Sequence, residues 1–175
     1  MLLSVQQKYI LDILRKLGCV RRRQLDTLVR EKFRPDLEIS EVRMDAMLRQ
    51  LRAGTGDVRT DSEFVRLSGA QPDALRLEAV DVMLELAEGK PEDFTVRVER
   101  PELLRFSWGK SLRLFTVAEL SAPIHSAVEI LAHRKRVVWI SASGIAPEGL
   151  TLPPKHFFAA RLEDGSHRFY GSNGP

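Results

Sequence analysis

Arg21, Arg22 and Arg23 stand in an unbroken run where a helix is expected to begin. Cations there oppose the helix dipole at a cost of about 0.3–1 kcal/mol each. A phosphate at that terminus gains from the free amides and the guanidiniums together, which makes the run a candidate phosphate contact; on a solvated turn, salt screening keeps the cost small. Other suggestive groups fail on spacing. Gly109-Lys110-Ser111 has the ending of a phosphate-binding loop, but the position that must hold the leading glycine is Leu104. His125 and His133 are not at the spacing that puts two ligands on one helical face, and His156 and His167 lack an obvious acidic partner. All four histidines are expected at the surface or in a hairpin. Ser, His and Asp are all present, yet no Gly-x-Ser-x-Gly elbow occurs. Cys19, at a helix junction, is expected to be a small buried packing residue, and Trp108 and Trp139 core or interface anchors. No catalytic residue, cofactor or metal-ligand set is assigned.

Composition narrows the classes further. The 175 residues are 43% apolar and 29% charged, enough for one larger globular domain or two small ones. The net charge of +3 is too modest for a histone-like tail and too well mixed for a disordered acidic segment. A single cysteine excludes an internal disulfide framework and a Cys-rich zinc site. No apolar run reaches the ~18 residues of a membrane span, so a cytoplasmic protein without membrane contact is expected. The first 70 residues carry 14 basic and 10 acidic side chains, net +4, and the remainder 13 and 14, net −1. Any nucleic-acid signal is therefore local. The small, polar, proline-terminated segment Ser68–Pro72 marks a boundary between domains 1–70 and 71–175.

In the first domain a helix begins at Ser4, with Gln7 completing a capping box. It buries Tyr9, Ile10, Ile13, Leu14 and Leu17 at helical spacing and ends at Gly18. A second helix covers about Arg22 to Phe33, stopped by Pro35, and a third starts after Ser40 and runs to Arg52 with Gly54 as its terminator. Val58–Thr60 and Phe64–Leu67 flank the turn-forming Asp61-Ser62-Glu63 as a hairpin. In the second domain a helix over 72–88, closed by Gly89, precedes strands at 94–98, 103–107 and 112–118. A helix at 124–133, a strand at 137–141, a loop at 147–154 and a hairpin joining 157–162 to 167–170 follow.

Helix, helix, helix, hairpin in the first two-fifths of the chain resembles a winged helix-turn-helix domain. The resemblance implies that the third helix enters a DNA major groove. Projected at 100° per residue, Met44, Met47, Leu48 and Leu51 share the packing side. Val42, Asp45, Ala46 and Arg49 fall opposite, flanked by Arg43, Gln50 and Arg52. Arginine and glutamine suit base edges or phosphates, and Val42 or Ala46 suits a thymine methyl; Asp45 and Glu41 would repel phosphates. The resemblance also turns the start of the second helix, with Arg21, Arg22 and Arg23, toward the DNA backbone. Arg59 and Arg66 on the hairpin add positive charge beside the minor groove or backbone, or else keep an edge strand soluble.

The α-β-β-β-α-β order of the second domain is similar to the core of the restriction-endonuclease-like, or PD-(D/E)xK, fold. That superfamily implies two carboxylates holding a divalent cation and a lysine orienting water. Glu102 and Glu119 could stand for the acids, but Arg105 intrudes beside Glu102 and Ser121 stands where lysine belongs. The pair is a nuclease remnant at best.

The expected class is therefore a two-domain α+β or α/β protein, an N-terminal winged helix followed by a mixed α/β domain of nuclease-like topology. LGCVRRRQLDTLV followed by VRMDAMLRQLRAGTGDV also resembles replication-relaxation-type proteins of plasmids and conjugative elements. This implies a non-catalytic accessory or regulatory protein acting on double-stranded DNA in replication, transfer or transcription. A protein partner through the second domain is an expectation, as is a homodimer, since winged helices that read palindromes pair. Two other classes stay open: an interaction adaptor that uses a winged helix without DNA, and a metal-dependent nuclease with a migrated site.

Overall fold

The computed structural model describes residues 2–171, the side chain of His125 excepted. The chain is of mixed α+β class and divides just past Pro72 into two compact units, Met1–Asp73 and Ala74–Pro175. Among the described residues no helix is long and apolar enough to cross a membrane.

Unit 1 begins with α1 (Val5–Leu17). The Ser4 hydroxyl accepts from the Gln7 amide at 3.1 Å, and the Gln7 side chain accepts from the Ser4 amide at 3.0 Å, satisfying two helix-end donors reciprocally. Gly18, at φ 73°, turns the chain directly into β1 (Cys19–Arg21), α2 (Arg22–Phe33) and α3 (Glu41–Thr55). β2 (Val58–Thr60) and β3 (Phe64–Leu67) then form the expected hairpin, and its turn is fixed by Asp61 Oδ1, which accepts from the amides of Glu63 and Phe64. The core is built from Ile10, Ile13 and Leu14 of α1, Leu25, Leu28 and Val29 of α2, and Met44, Leu48 and Leu51 of α3.

Two details of unit 1 differ from expectation. β1 lies where only a helix junction is expected; it pairs antiparallel with β3, giving a three-stranded sheet of order β1-β3-β2. α3 also runs past Gly54 to Thr55, and Gly56, left-handed at φ 70°, is the residue that ends it. A glycine inside an exposed final turn costs only ~1 kcal/mol, less than is needed to stop a helix already docked on its core.

Unit 2 comprises α4 (Ala74–Leu86), β4 (Asp93–Val96), β5 (Glu102–Trp108), β6 (Arg113–Glu119), α5 (Ile124–Ile130), β7 (Val137–Ile140), β8 (His156–Arg161) and β9 (His167–Tyr170). The six strands lie side by side in chain order. β6–β7 and β7–β8 are parallel and the remaining pairs antiparallel. α4 packs against β5, β6 and β7 and is buried nearly all round, including Glu78 and Asp81; Leu75 and Leu86 at its two ends are only half-buried. Ala118, Trp139 and Phe158 share a second core with Ala127 and Leu131, around the short α5. Gly109-Lys110-Ser111 falls in the tight turn between β5 and β6, where the Leu112 amide donates to the Gly109 carbonyl at 2.8 Å.

Candidate nucleic-acid interface

α3 separates its faces cleanly. Met44, Met47, Leu48 and Leu51 are buried, whereas Arg43, Arg49, Gln50 and Arg52 are exposed and Val42 is 75% exposed. Ala46 is half-buried between the two sets. The helix is started by Ser40, whose hydroxyl accepts from the Arg43 amide, so the cap fixes the turn carrying Val42 and Arg43. Gln50 is tethered: its side-chain oxygen accepts from Nε2 of the buried Gln7 at 2.8 Å, which joins α3 to α1.

The three consecutive arginines have separate surroundings. Arg22 donates through Nε to Asp26 and through Nη2 to Asp45, each at 2.8 Å. Burial works against its charge, but the hydrogen bonds to Asp26 and Asp45 outweigh it and hold the guanidinium's pKa above its usual value. Two carboxylates thus offset the cost of a cation at this helix start, and the charge of Asp45 is compensated in part, while Glu41 at the start of α3 stays exposed. Arg21 is half-buried with Nε 3.9 Å from Glu63, and its amide donates to the Gln24 side chain at 2.9 Å. Arg23 is exposed.

On the hairpin, Arg59 and Arg66 are directly opposite in the β2–β3 register. Like charges at such a pair repel, and each side chain folds onto a carbonyl: Arg59 Nη1 donates to Gly56 O at 2.7 Å and Arg66 Nη1 to Ala70 O at 3.2 Å. Cys19 is buried next to Arg66 across the sheet, and burial is the main cause of its raised thiol pKa.

In unit 2 the acids considered for metal binding are held by arginines. Glu102 accepts from Arg105 at 2.6 and 2.7 Å and from Arg134 at 3.3 Å, with Arg97 at 3.5 Å. Burial raises its pKa, but the hydrogen bonds and charge of Arg105, then the charges of Arg134 and Arg97, bring it below the usual range. Glu119 pairs with Arg100 at 3.1 Å. Among the described residues no three His, Cys, Asp or Glu side chains group to hold a metal.

Two of the four histidines are buried, His167 within the expected hairpin but, against expectation, with acidic partners. His156 is 1% exposed. Its Nδ1 accepts from the indole N–H of Trp139 at 3.3 Å, which leaves Nε2 to donate to the Arg134 carbonyl at 2.9 Å. His167 is buried with two acidic partners: Nδ1 lies 2.8 Å from Glu85 and Nε2 3.3 Å from Glu78. Glu78 also accepts from Arg161 at 2.6 Å. Desolvation opposes the His167 charge, but the bonds to Glu78 and Glu85 prevail and raise its pKa. His133 is exposed as expected, and the side chain of His125 lies outside the described residues.

No family profile, curated protein or solved structure matches the chain.

Proposed function

We propose that the chain is a non-catalytic, double-stranded-DNA-binding protein whose first unit is a winged helix and whose second is a nuclease-like domain without a metal site. On this reading it serves a mobile element as an accessory or regulatory factor of the replication-relaxation type. The order α1-β1-α2-α3-β2-β3 with its β1-β3-β2 sheet supports the winged-helix assignment. The run α4-β4-β5-β6-α5-β7, closed by a parallel strand pair, supports the nuclease-like topology.

One observation carries the functional reading. α3 buries its apolar side and leaves Val42, Arg43, Arg49 and Arg52 outward, three cations against exposed Glu41 and an Asp45 that Arg22, shared with Asp26, compensates in part. The result is a helix face with a net positive field and one methyl-bearing contact, the chemistry that suits a major groove and its phosphates. Arg23, Arg59 and Arg66 extend the positive charge. A labelled mixed-sequence duplex, titrated with the full chain and followed by fluorescence anisotropy, tests the reading at once. Binding that weakens roughly 100-fold or more between about 50 and 200 mM salt is expected for some five neutralised phosphates; absence of binding at the lower salt contradicts it.

A further inference from the structure

We infer that unit 2 carries a second phosphate-binding site, a basic groove at the head of β6 and β7 that takes the backbone of the same nucleic acid. The inference rests on the DNA-binding reading of unit 1 for the source of the phosphate. The groove has a volume of about 230 Å³ and is lined by Leu114, Thr116, His133, Arg134, Lys135 and Arg136.

Its origin lies in the length of α5. β6 and β7 run parallel, with Thr116 opposite Val137 and the Thr116 amide donating to the Arg136 carbonyl at 2.9 Å. α5 has seven residues, about 10 Å of helix at ~1.5 Å per residue. The core it shares takes in Ala118, Trp139 and Phe158 but not Leu114 or Thr116. The chain from Leu131 to Arg136 crosses that end as a short non-helical run carrying four basic-type side chains in succession, His133 to Arg136.

Charge is segregated here against the composition of the unit. Residues 71–175 have one more acid than base, yet at this place Arg97, Arg105 and Arg134 share the single carboxylate of Glu102. Lys135 is exposed, and among the described residues neither Lys135 nor Arg136 has a carboxylate in ion-pair range. Arg136 is braced over the Phe115 ring at 6.0 Å, a contact that holds its planar cation without neutralising it. Arg134 is bonded to Glu102 through Nη2, while its buried Nε has no acceptor among the described residues. Two guanidiniums and an ammonium, of which only Arg134 has a carboxylate partner and that one shared with Arg97 and Arg105, stand beside a buried threonine and match a phosphodiester, which brings acceptor oxygens and negative charge and little bulk. An acidic peptide would need more apolar contact than this shallow groove supplies beyond Leu114.

The test compares the salt dependence of duplex binding by the full chain, wild type, Lys135→Ala/Arg136→Ala and Lys135→Arg/Arg136→Lys. If the groove takes backbone phosphates, the alanine pair lowers affinity roughly tenfold or more at about 100 mM salt for every duplex sequence. It also makes the slope of log affinity against log salt shallower by roughly 1 to 2, while the charge-conserving pair keeps the wild-type slope. Wild-type affinity and slope in the alanine pair, with duplex binding intact, overturn the groove and leave unit 1 as the binder. Equal weakening by both pairs overturns it too, since the effect then follows shape and not charge. No duplex binding by wild type overturns the reading of unit 1 and this inference together. Thermal unfolding of each variant, expected within a few degrees of wild type for an exposed lysine and a half-buried arginine, guards against loss of fold as the cause.

Discussion

Arg22 and Asp45 meet at 2.8 Å, tying the first residue of α2 to the exposed side of α3. The pair joins the two helices and, on the proposed reading, reduces the negative charge on the face that α3 would offer to a phosphate backbone. Both side chains are partly exposed, at 27% and 48%, so a double-mutant cycle on stability is expected to give only about 0.2–1 kcal/mol of coupling. If the chain binds duplex DNA as proposed, a larger effect is expected there. Arg22→Ala leaves Asp45 uncompensated and weakens duplex binding, and adding Asp45→Ala restores much of the loss. A double variant as weak as Arg22→Ala alone would show that Arg22 itself holds a phosphate.

Buried His167 and Glu78, with Glu85 and Arg161 at the rim, are expected to give unit 2 a pH-dependent stability. The pKa of His167 is raised in the folded state by its carboxylate partners. Its contribution is therefore full below the unfolded value of about 6.5 and is lost as pH rises through the higher folded value. Urea unfolding at a series of pH values from 6 to 9 is expected to show this decline, and His167→Gln to flatten it. A decline of the same size in the variant would assign the effect elsewhere.

Removing Glu78 strips His167 and Arg161 of a shared partner in a site where the acid is 4% exposed. Glu78→Ala is expected to cost about 3 kcal/mol, in the range for breaking a buried pair, as measured by chemical denaturation. Glu78→Gln keeps the shape and should cost less.

Glu102 behaves in the opposite sense to His167. With its pKa depressed by three arginines, its contribution is present above the unfolded value of about 4.3 and disappears as pH falls through the lower folded value. Glu102→Gln is expected to remove that acid-side loss and to lower stability at neutral pH, because Arg97, Arg105 and Arg134 then face one another. Calorimetric titration with magnesium is expected to give no heat of specific binding, since Arg105 occupies both oxygens of this carboxylate.

His156→Phe retains bulk but leaves the Trp139 indole N–H and the Arg134 carbonyl without their partner. Two buried polar groups left unsatisfied are expected to cost about 1–3 kcal/mol each. Fluorescence of Trp139 should report a changed environment in the folded variant; an unchanged spectrum and unchanged stability would contradict the buried bond.

What sequence reasoning could reach was set by the range of the interactions. α1, α2 and the two terminal hairpins are local features, signalled by a capping box, a proline stop and turn residues, and they lie within a residue or two of where those signals put them. β1 has only three residues and becomes a strand because Cys19, Val20 and Arg21 pair with Arg66, Val65 and Phe64 far along the chain; no local pattern announces it. Gly54 and Gly56 are equal as helix terminators in sequence, and docking of Leu51 on the core carries α3 past the first. The acids that bury His167 come from α4, more than eighty residues earlier, so the histidine has the look of a hairpin surface residue. The exposed face of α3 was legible from periodicity, but the pairing of Asp45 with Arg22 was not, because that contact joins two helices.

The most direct test of the central claim is the slope of log affinity against log salt for a duplex bound by wild type and by Arg43→Ala/Arg49→Ala. A slope of roughly −4 to −5 for wild type, made shallower by about 1 to 2 in the double variant, is the expected result. A salt-independent affinity, or a double variant indistinguishable from wild type, contradicts the assignment of α3 as the DNA-facing helix.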